Sequence, residues 1–168
     1  MIKTCNITLV PIVPEHKELV YDLFRDIHPE LTGIQGMAEG QLEDLLRLQF
    51  DMRQAQFGEL YPNAERSLIV LDGVPIGYVY TDTGDDIRVI EIGVLKHYRR
   101  NGIGSYIIRT LIDKANAEGK NISLQVLWFN HSACQFYQKL GFTLIHNNGI
   151  AYEMKYWCNT KNPSIDRG

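Results

Sequence analysis

At 168 residues, with 45% hydrophobic and 22% charged side chains, the chain has the length and composition of one folded domain around one core. A net charge of −3 gives no overall basic field, which excludes long-range attraction to nucleic acid or to an anionic membrane and leaves any basic site to be local. Cys5, Cys134 and Cys158 lack the paired spacing of a disulfide framework, a zinc site or a redox pair, and no apolar run approaches the length of a spanning helix, so the expectation is a soluble, cytoplasmic chain with reduced thiols and no metal.

In chain order, Asn6 to Val13 reads as a short strand ending at Pro14, and Glu15 to Ile27 sets Leu19, Val20, Leu23, Phe24 and Ile27 on one helical face. His28 to Gly36 is a loop, because Pro29 disfavours helix at His28 and two glycines follow. Glu39 to about Tyr61 spaces Leu42, Leu45, Leu46, Leu48, Phe50, Met52 and Phe57 as a long amphipathic helix, with most of those residues expected in the core. Ser67 to Leu71 and Val74 to Thr81 form a hairpin across Asp72-Gly73, and a turn at Thr83-Gly84-Asp85 leads into Ile87 to Leu95.

A helix then runs from Ile103 through Ile107, Ile108, Leu111, Ile112 and Ala115 to a stop at Gly119, followed by a strand from Ile122 to Trp128. Asn130 suits the N-cap of a helix over Ser132 to Leu140, with Gly141 behind it. A last hairpin, Phe142 to His146 and Ile150 to Trp157, turns at Asn147-Asn148-Gly149. Residues 1–157 are thus one domain, and the polar, aperiodic residues 158–168 are expected to form a disordered tail.

The most informative stretch joins Ile87 to Gly104. A Val- and Ile-rich strand is followed by Arg99 and Arg100, then Gly102 and Gly104 open a helix. The unpaired N–H groups of a helix's first turn carry partial positive charge, and glycines allow an anion's oxygens to approach the backbone, so this turn is suited to a diphosphate.

Arg99-Arg100-Asn101-Gly102-Ile103-Gly104 resembles the Arg/Gln-x-x-Gly-x-Gly/Ala acyl-CoA signature of the GNAT superfamily of N-acetyltransferases. Downstream, Asn130, Ala133, Tyr137, Gly141 and Phe142 resemble that superfamily's Asn-x-x-Ala-x-x-x-Tyr-x-x-x-Gly-Phe run. The resemblance implies an α/β fold in the α+β, mixed-sheet sense: about seven strands in one twisted sheet, about four flanking helices, and a splayed parallel pair formed by the Ile87 and Ile122 strands.

It also implies acetyl-CoA as cosubstrate, without a metal, and an amine acceptor. Ile92, Val94 and Leu95 would offer backbone partners to the pantetheine arm. Arg99, Arg100, Asn101, Gly102, Ile103, Gly104 and Ser105 would cradle the diphosphate, and Asn130 and Tyr137 would complete the cofactor site. Tyr137 is further expected to protonate the departing thiolate. Glu91 is the candidate general base, since an acidic residue between Ile90 and Ile92 asks for a reason; a salt bridge to a neighbouring strand is the competing reason. Gly93 either makes room for the cofactor at a bulge or relieves crowding in the core.

The function so implied is acetyl transfer by direct attack of a primary amine, a small molecule being favoured over a protein N-terminus or lysine. A CoA-binding sensor without turnover is the alternative. Neither nucleic acid nor membrane is an expected partner, and a homodimer is left open.

Overall fold

The computed structural model describes residues 6–31 and 36–160. Seven strands form one sheet in the order β1-β2-β3-β4-β5-β7-β6, namely β1 (Ile7–Pro11), β2 (Glu65–Leu71), β3 (Val74–Thr83), β4 (Ile87–Val94), β5 (Ile122–Leu127), β6 (Thr143–Asn147) and β7 (Ala151–Tyr156). Four α-helices accompany them: α1 (Lys17–Ile27), α2 (Glu39–Leu60), α3 (Ile103–Glu118) and α4 (His131–Lys139). The mixed sheet and helix number are those expected from the sequence. Among the described residues no helix is long and apolar enough to cross a membrane.

The chain divides into two compact units, Met1–Tyr80 with Glu91–Ile103, and Thr81–Ile90 with Gly104–Gly168. In the first, β1 and β2 pair antiparallel from Ile7↔Leu71 to Pro11↔Ser67. The Asp72-Gly73 turn has φ of 50° and 81°, the double left-handed backbone that a type I′ hairpin requires. Helix α1 buries Val20, Tyr21, Leu23, Phe24 and Ile27. Its aromatic rings meet α2 at Phe50, which lies 5.4 Å from both Tyr21 and Phe24.

Helix α2 departs from expectation. Only Leu46 and Phe50 are buried, one turn apart, whereas Leu48 and Met52 are 56% and 63% exposed. A single helix face meets the core, and residues two positions away from it project to the opposite side.

Glycine sets the approach of β3 and β4. A Cβ on Gly77 would sit 2.1 Å from the carbonyl oxygen of Gly93, and a Cβ on Gly93 would come within 2.9 Å of Ile27 Cγ2. Gly93 therefore makes room for the last turn of α1, the packing role rather than a space left for cofactor. The N–H of Leu95 donates to Ile76 O at 2.8 Å, so Leu95 is turned towards β3, as is the carbonyl of Gly93. At the other end of the strand the N–H of Ile87 donates to Asn121 O at 2.9 Å, towards β5. In a regular strand these two amides, an even number of residues apart, would face the same edge. Their opposite directions mark a one-residue irregularity inside β4, the bulge that a glycine in a strand suggests.

In the second unit, β4 and β5 pair in parallel only at Ile87↔Ile122 and Arg88↔Ser123. Asp86 anchors that start: it accepts from the Asn121 N–H at 3.0 Å and from Asn121 Nδ2 at 3.3 Å, and pairs with Lys155 Nζ at 3.1 Å. Strand β5 pairs antiparallel with β7 from Ile122↔Tyr156 to Leu127↔Ala151, and β6 completes the edge with a register shift between Leu144 and His146.

The expected tail begins too early. Cys158 is fully buried and its N–H donates to Asn121 Oδ1 at 3.1 Å, while Asn159 donates to Asn116 Oδ1 at 3.1 Å. Asparagine side chains reaching from the second unit's interior hold the chain past Trp157; residues 161–168 lie outside the described residues.

Candidate active site

Glu91 sits on β4 with its side chain 9% exposed. Its Oε1 lies 3.4 Å from His28 Nε2, 3.6 Å from Arg53 Nη2 and 3.4 Å from Tyr78 Oη. Its Oε2 is buried and makes no hydrogen bond to a described residue. A carboxylate withdrawn from water is costly unless paired, and a bare oxygen adds to that cost. One carboxylate oxygen is thus engaged by three side chains and the other by no described residue. The ion-pair partners come from α2 and the residue after α1, not from a neighbouring strand as the competing reading of Glu91 supposed.

The surroundings keep protons on the nearby phenols. Burial raises the Tyr78 hydroxyl far above its ordinary range, with Glu91 adding to the effect, and burial together with Glu91 pushes Tyr80 up to about 12. The rings of Tyr78 and Tyr80 lie 5.2 Å apart on β3, and Arg53 lies 6.0 Å from the Phe24 ring and 5.9 Å from the Phe57 ring. His28 is held from both sides, its Nδ1 being 3.0 Å from Glu30 Oε1.

The sequence reading did not include His28, Arg53 or Tyr78 in the site. A signal existed in the alternation Tyr78-x-Tyr80 on a strand beside a polar helix residue. It could not be read as a site without the fold that brings Tyr78 within 3.4 Å of Glu91.

The turn after β4 is shaped by left-handed backbone at Arg100 (φ 59°) and Gly102 (φ 80°). Such turns aim successive N–H groups at a common point, an anion-binding concavity. Nothing lies within 4 Å of a Cβ placed on Gly102. Asn101 braces the turn, its Nδ2 donating to Arg99 O at 3.0 Å and Tyr98 O at 3.3 Å. Ile103, Gly104 and Ser105 then open α3, where first-turn amides have no intrahelical acceptor.

Arg99 does something the motif alone does not reveal. Its Nε donates to Val94 O at 2.7 Å and its Nη2 to Ile27 O at 2.8 Å. The guanidinium ties the turn to the end of β4 and to a terminal carbonyl of α1. The remaining formal charge of the turn is the exposed Arg100.

On β4 itself, Leu95 spends its N–H on Ile76, and Val94 lies between two residues turned towards β3. Val94 therefore directs its own backbone away from β3, and its carbonyl is the one taken by Arg99.

In the second unit, Asn130 caps α4 by accepting from the Ala133 N–H at 3.1 Å. Tyr137 is buried on that helix, 5.0 Å from the Phe136 ring and 5.5 Å from Phe142. Its hydroxyl makes no hydrogen bond to a described residue, and burial pushes it up to about 12, so the phenol stays protonated at neutral pH. Gln125 is exposed on β5 opposite Glu153, which is paired with Arg88 through both of its oxygens.

The model of the family described as "Acetyltransferase (GNAT) family" matches residues 18–142, spanning both the phosphate-type turn and Tyr137. The chain belongs to this family. Its family and fold are those of an acyltransferase enzyme. Two curated relatives match part of the chain: N-alpha-acetyltransferase 50 of Danio rerio is 30% identical over 100 residues, covering 58% of this chain and 60% of that protein. The probable N-acetyltransferase san of Drosophila melanogaster is 31% identical over 98 residues, covering 57% of this chain and 53% of that one. The chain thus spans little more than half the length of these relatives. The crystal structure of the PaiA N-acetyltransferase of Thermoplasma acidophilum in complex with coenzyme A superimposes with a TM-score of 0.67, over 90% of this chain and 98% of that one, at 16% identity. That likeness is one of fold.

Proposed function

We propose that this protein transfers an acetyl group from acetyl-CoA to a primary amine by direct attack within a ternary complex. The observation that carries the proposal is the Glu91 carboxylate, its side chain 9% exposed, held by His28, Arg53 and Tyr78 through Oε1 and without a described partner at Oε2. An amine arrives as ammonium at neutral pH and cannot attack until it loses a proton. Oε2 is an acceptor for that proton. The freed lone pair then forms the bond to the acetyl carbon, the carbon–sulfur bond breaks, the thiolate takes a proton from the Tyr137 hydroxyl, and the second proton shed by the acylated nitrogen restores the phenol through solvent.

The cosubstrate's diphosphate is assigned to the backbone of Arg100, Asn101, Gly102, Ile103, Gly104 and Ser105, with the Arg100 charge beside it. Arg99 shapes this turn from behind. Of the backbone groups assigned to pantetheine, those of Ile92 and the Val94 N–H have no competing partner among the described residues outside the β4 ladder, whereas the Leu95 N–H is engaged with Ile76. Asn130 fixes the start of the helix that carries Tyr137.

A small-molecule amine is the first reading of the acceptor. A peptide α-amine is the second, favoured by the likeness to N-alpha-acetyltransferase 50. Thiol release from acetyl-CoA against a panel of polyamines, aminoglycosides, lysine peptides and free N-terminal peptides tests both. Turnover with one class identifies the acceptor; none with any class, despite CoA binding, supports a sensor instead.

A further inference from the structure

The acetyl-transfer reading leaves a proton on Glu91 that must leave before the next turnover, and the carboxylate is nearly sealed from water. The group beside it that can carry a proton outwards is His28. Both of its ring nitrogens face a carboxylate: Nε2 is 3.4 Å from Glu91 Oε1 and Nδ1 is 3.0 Å from Glu30 Oε1. The three residues step outwards, with side-chain exposures of 9% for Glu91, 21% for His28 and 65% for Glu30. No other described group offers Glu91 a titratable path. Tyr78 and Tyr80 on β3 hold their protons, and Arg53 on α2 is a fixed cation.

We infer that His28 relays the proton from Glu91 to Glu30 and solvent, an inference that rests on the acetyl-transfer reading. The step balances without a co-reactant. Glu91 takes a proton from the acceptor ammonium at Oε2, and rotation of the carboxyl presents it to His28. Nε2 accepts that proton while Nδ1 releases its own to Glu30, which exchanges it with water. Between turnovers Nδ1 takes a proton from bulk water and Nε2 releases one to water entering the vacated acceptor site, which restores the starting tautomer with no net change on the ring.

The groups facing the imidazole fix its role. With Nδ1 3.0 Å from Glu30 Oε1, a proton on Nδ1 satisfies that contact and leaves Nε2 to exchange one with Glu91, the Tyr78 hydroxyl at 3.5 Å being its other neighbour. The Phe24 ring, 4.9 Å away, closes a further side of the ring. His28 acts through Glu91 and is a positioning and relay residue.

The test compares His28→Gln, His28→Ala and Glu30→Gln with the parent. Glutamine keeps a polar side chain at the site but cannot carry a proton through a ring. His28→Gln is expected to lower kcat about 10²-fold, in the range of lost acid–base assistance, with the affinity for acetyl-CoA unchanged and the rising limb of the pH–rate profile altered. Imidazole added to His28→Ala should restore rate in proportion to its concentration. The exposed Glu30→Gln should fold as the parent does and lower kcat several-fold. A parent-like rate and pH profile in His28→Gln, or an Ala variant that imidazole cannot rescue, overturns the relay.

A second measurement needs no acceptor. Nitrogen-15 chemical shifts of His28 should report a protonated Nδ1 in the parent and a changed Nδ1 environment in Glu30→Gln; a bare Nδ1 in the parent overturns the relay as well. Absence of turnover in the parent with a protonated Nδ1 would count against the acetyl-transfer reading and leave the hydrogen-bonded chain standing.

Discussion

Arg99 Nη2 lies 2.8 Å from the carbonyl oxygen of Ile27, 72 residues earlier in the chain, while its Nε holds Val94 O at 2.7 Å. The arginine of the acyl-CoA signature is here a clamp joining the phosphate-type turn, the end of β4 and the C-terminus of α1. A cation is well placed at the negative end of a helix. Arg99→Ala should therefore cost roughly 1–3 kcal/mol of stability, since hydrogen bonds from a charged donor are lost and two carbonyls are left unpaired. Arg100→Ala, whose side chain is exposed, should weaken CoA binding while leaving the melting temperature within about a degree or two of the parent. Thermal melts alongside calorimetry separate the two; equal effects on both quantities in both variants would show that the arginines share one role.

The glycines of β3 and β4 make a separable prediction. Gly77→Ala places a carbon 2.1 Å from a backbone oxygen that has nowhere to go, and it should unfold or severely destabilise the protein. Gly93→Ala clashes with the Ile27 side chain, at 2.9 Å, and touches Tyr78 at an ordinary 3.5 Å, so it should cost roughly 1–3 kcal/mol as an overpacked core site. Ile27→Ala removes the clash, so the pair should be non-additive in a double-mutant cycle. Additive losses would mean that Gly93 is required for backbone conformation instead.

Tyr137→Phe isolates chemistry from packing. The hydroxyl has no described partner, so its removal should change stability by less than about 1 kcal/mol, the scale of one hydrogen bond. Turnover should fall about 10²-fold or more, with acetyl-CoA affinity kept. An unchanged kcat would remove Tyr137 as the proton donor.

Stability should fall at both extremes of pH for identifiable reasons. Burial raises Tyr80 and Tyr137 from 10.0 to about 12, and burial with the Glu43 hydrogen bond does the same for Tyr21. A folded value above the unfolded one leaves this stability complete below pH 10 and removes it as pH climbs from 10 towards 12. Asp86 behaves in the opposite sense: burial opposes its charge, but the Asn121 hydrogen bonds and Lys155 outweigh this and hold it below 3.8. Its contribution is complete above 3.8 and disappears as pH falls through the lower folded value. Asp86→Asn should flatten the acid limb of a melting-temperature profile and leave the alkaline limb alone.

The sequence conveyed what is local. The 3.6-residue spacing of Ile103, Ile107, Ile108 and Ala115, the Asp72-Gly73 turn and the Asn130 cap all describe neighbours along the chain, and each is found where its pattern puts it. What depends on register was hidden. The helical spacing of α2 could not say that Leu46 and Phe50 alone would be buried, nor that Arg53 would reach Glu91. His28 carried no motif, and became part of a site only through Gly93, which lets Ile27 pack closely enough to bring the next residue beside β4. Arg99 was legible as a basic residue in a phosphate-type turn, but the long-range contact with Ile27 O was not.

The central claim is that the turn from Arg100 to Ser105 holds the diphosphate of acetyl-CoA. Isothermal titration with acetyl-CoA, then with free CoA, tests it before any acceptor is known. The account predicts micromolar binding of both, about −8 kcal/mol, and its near-complete loss in Gly102→Asp, which sets a carboxylate where the diphosphate belongs. Absence of binding in the parent, or undiminished binding in Gly102→Asp, would contradict it.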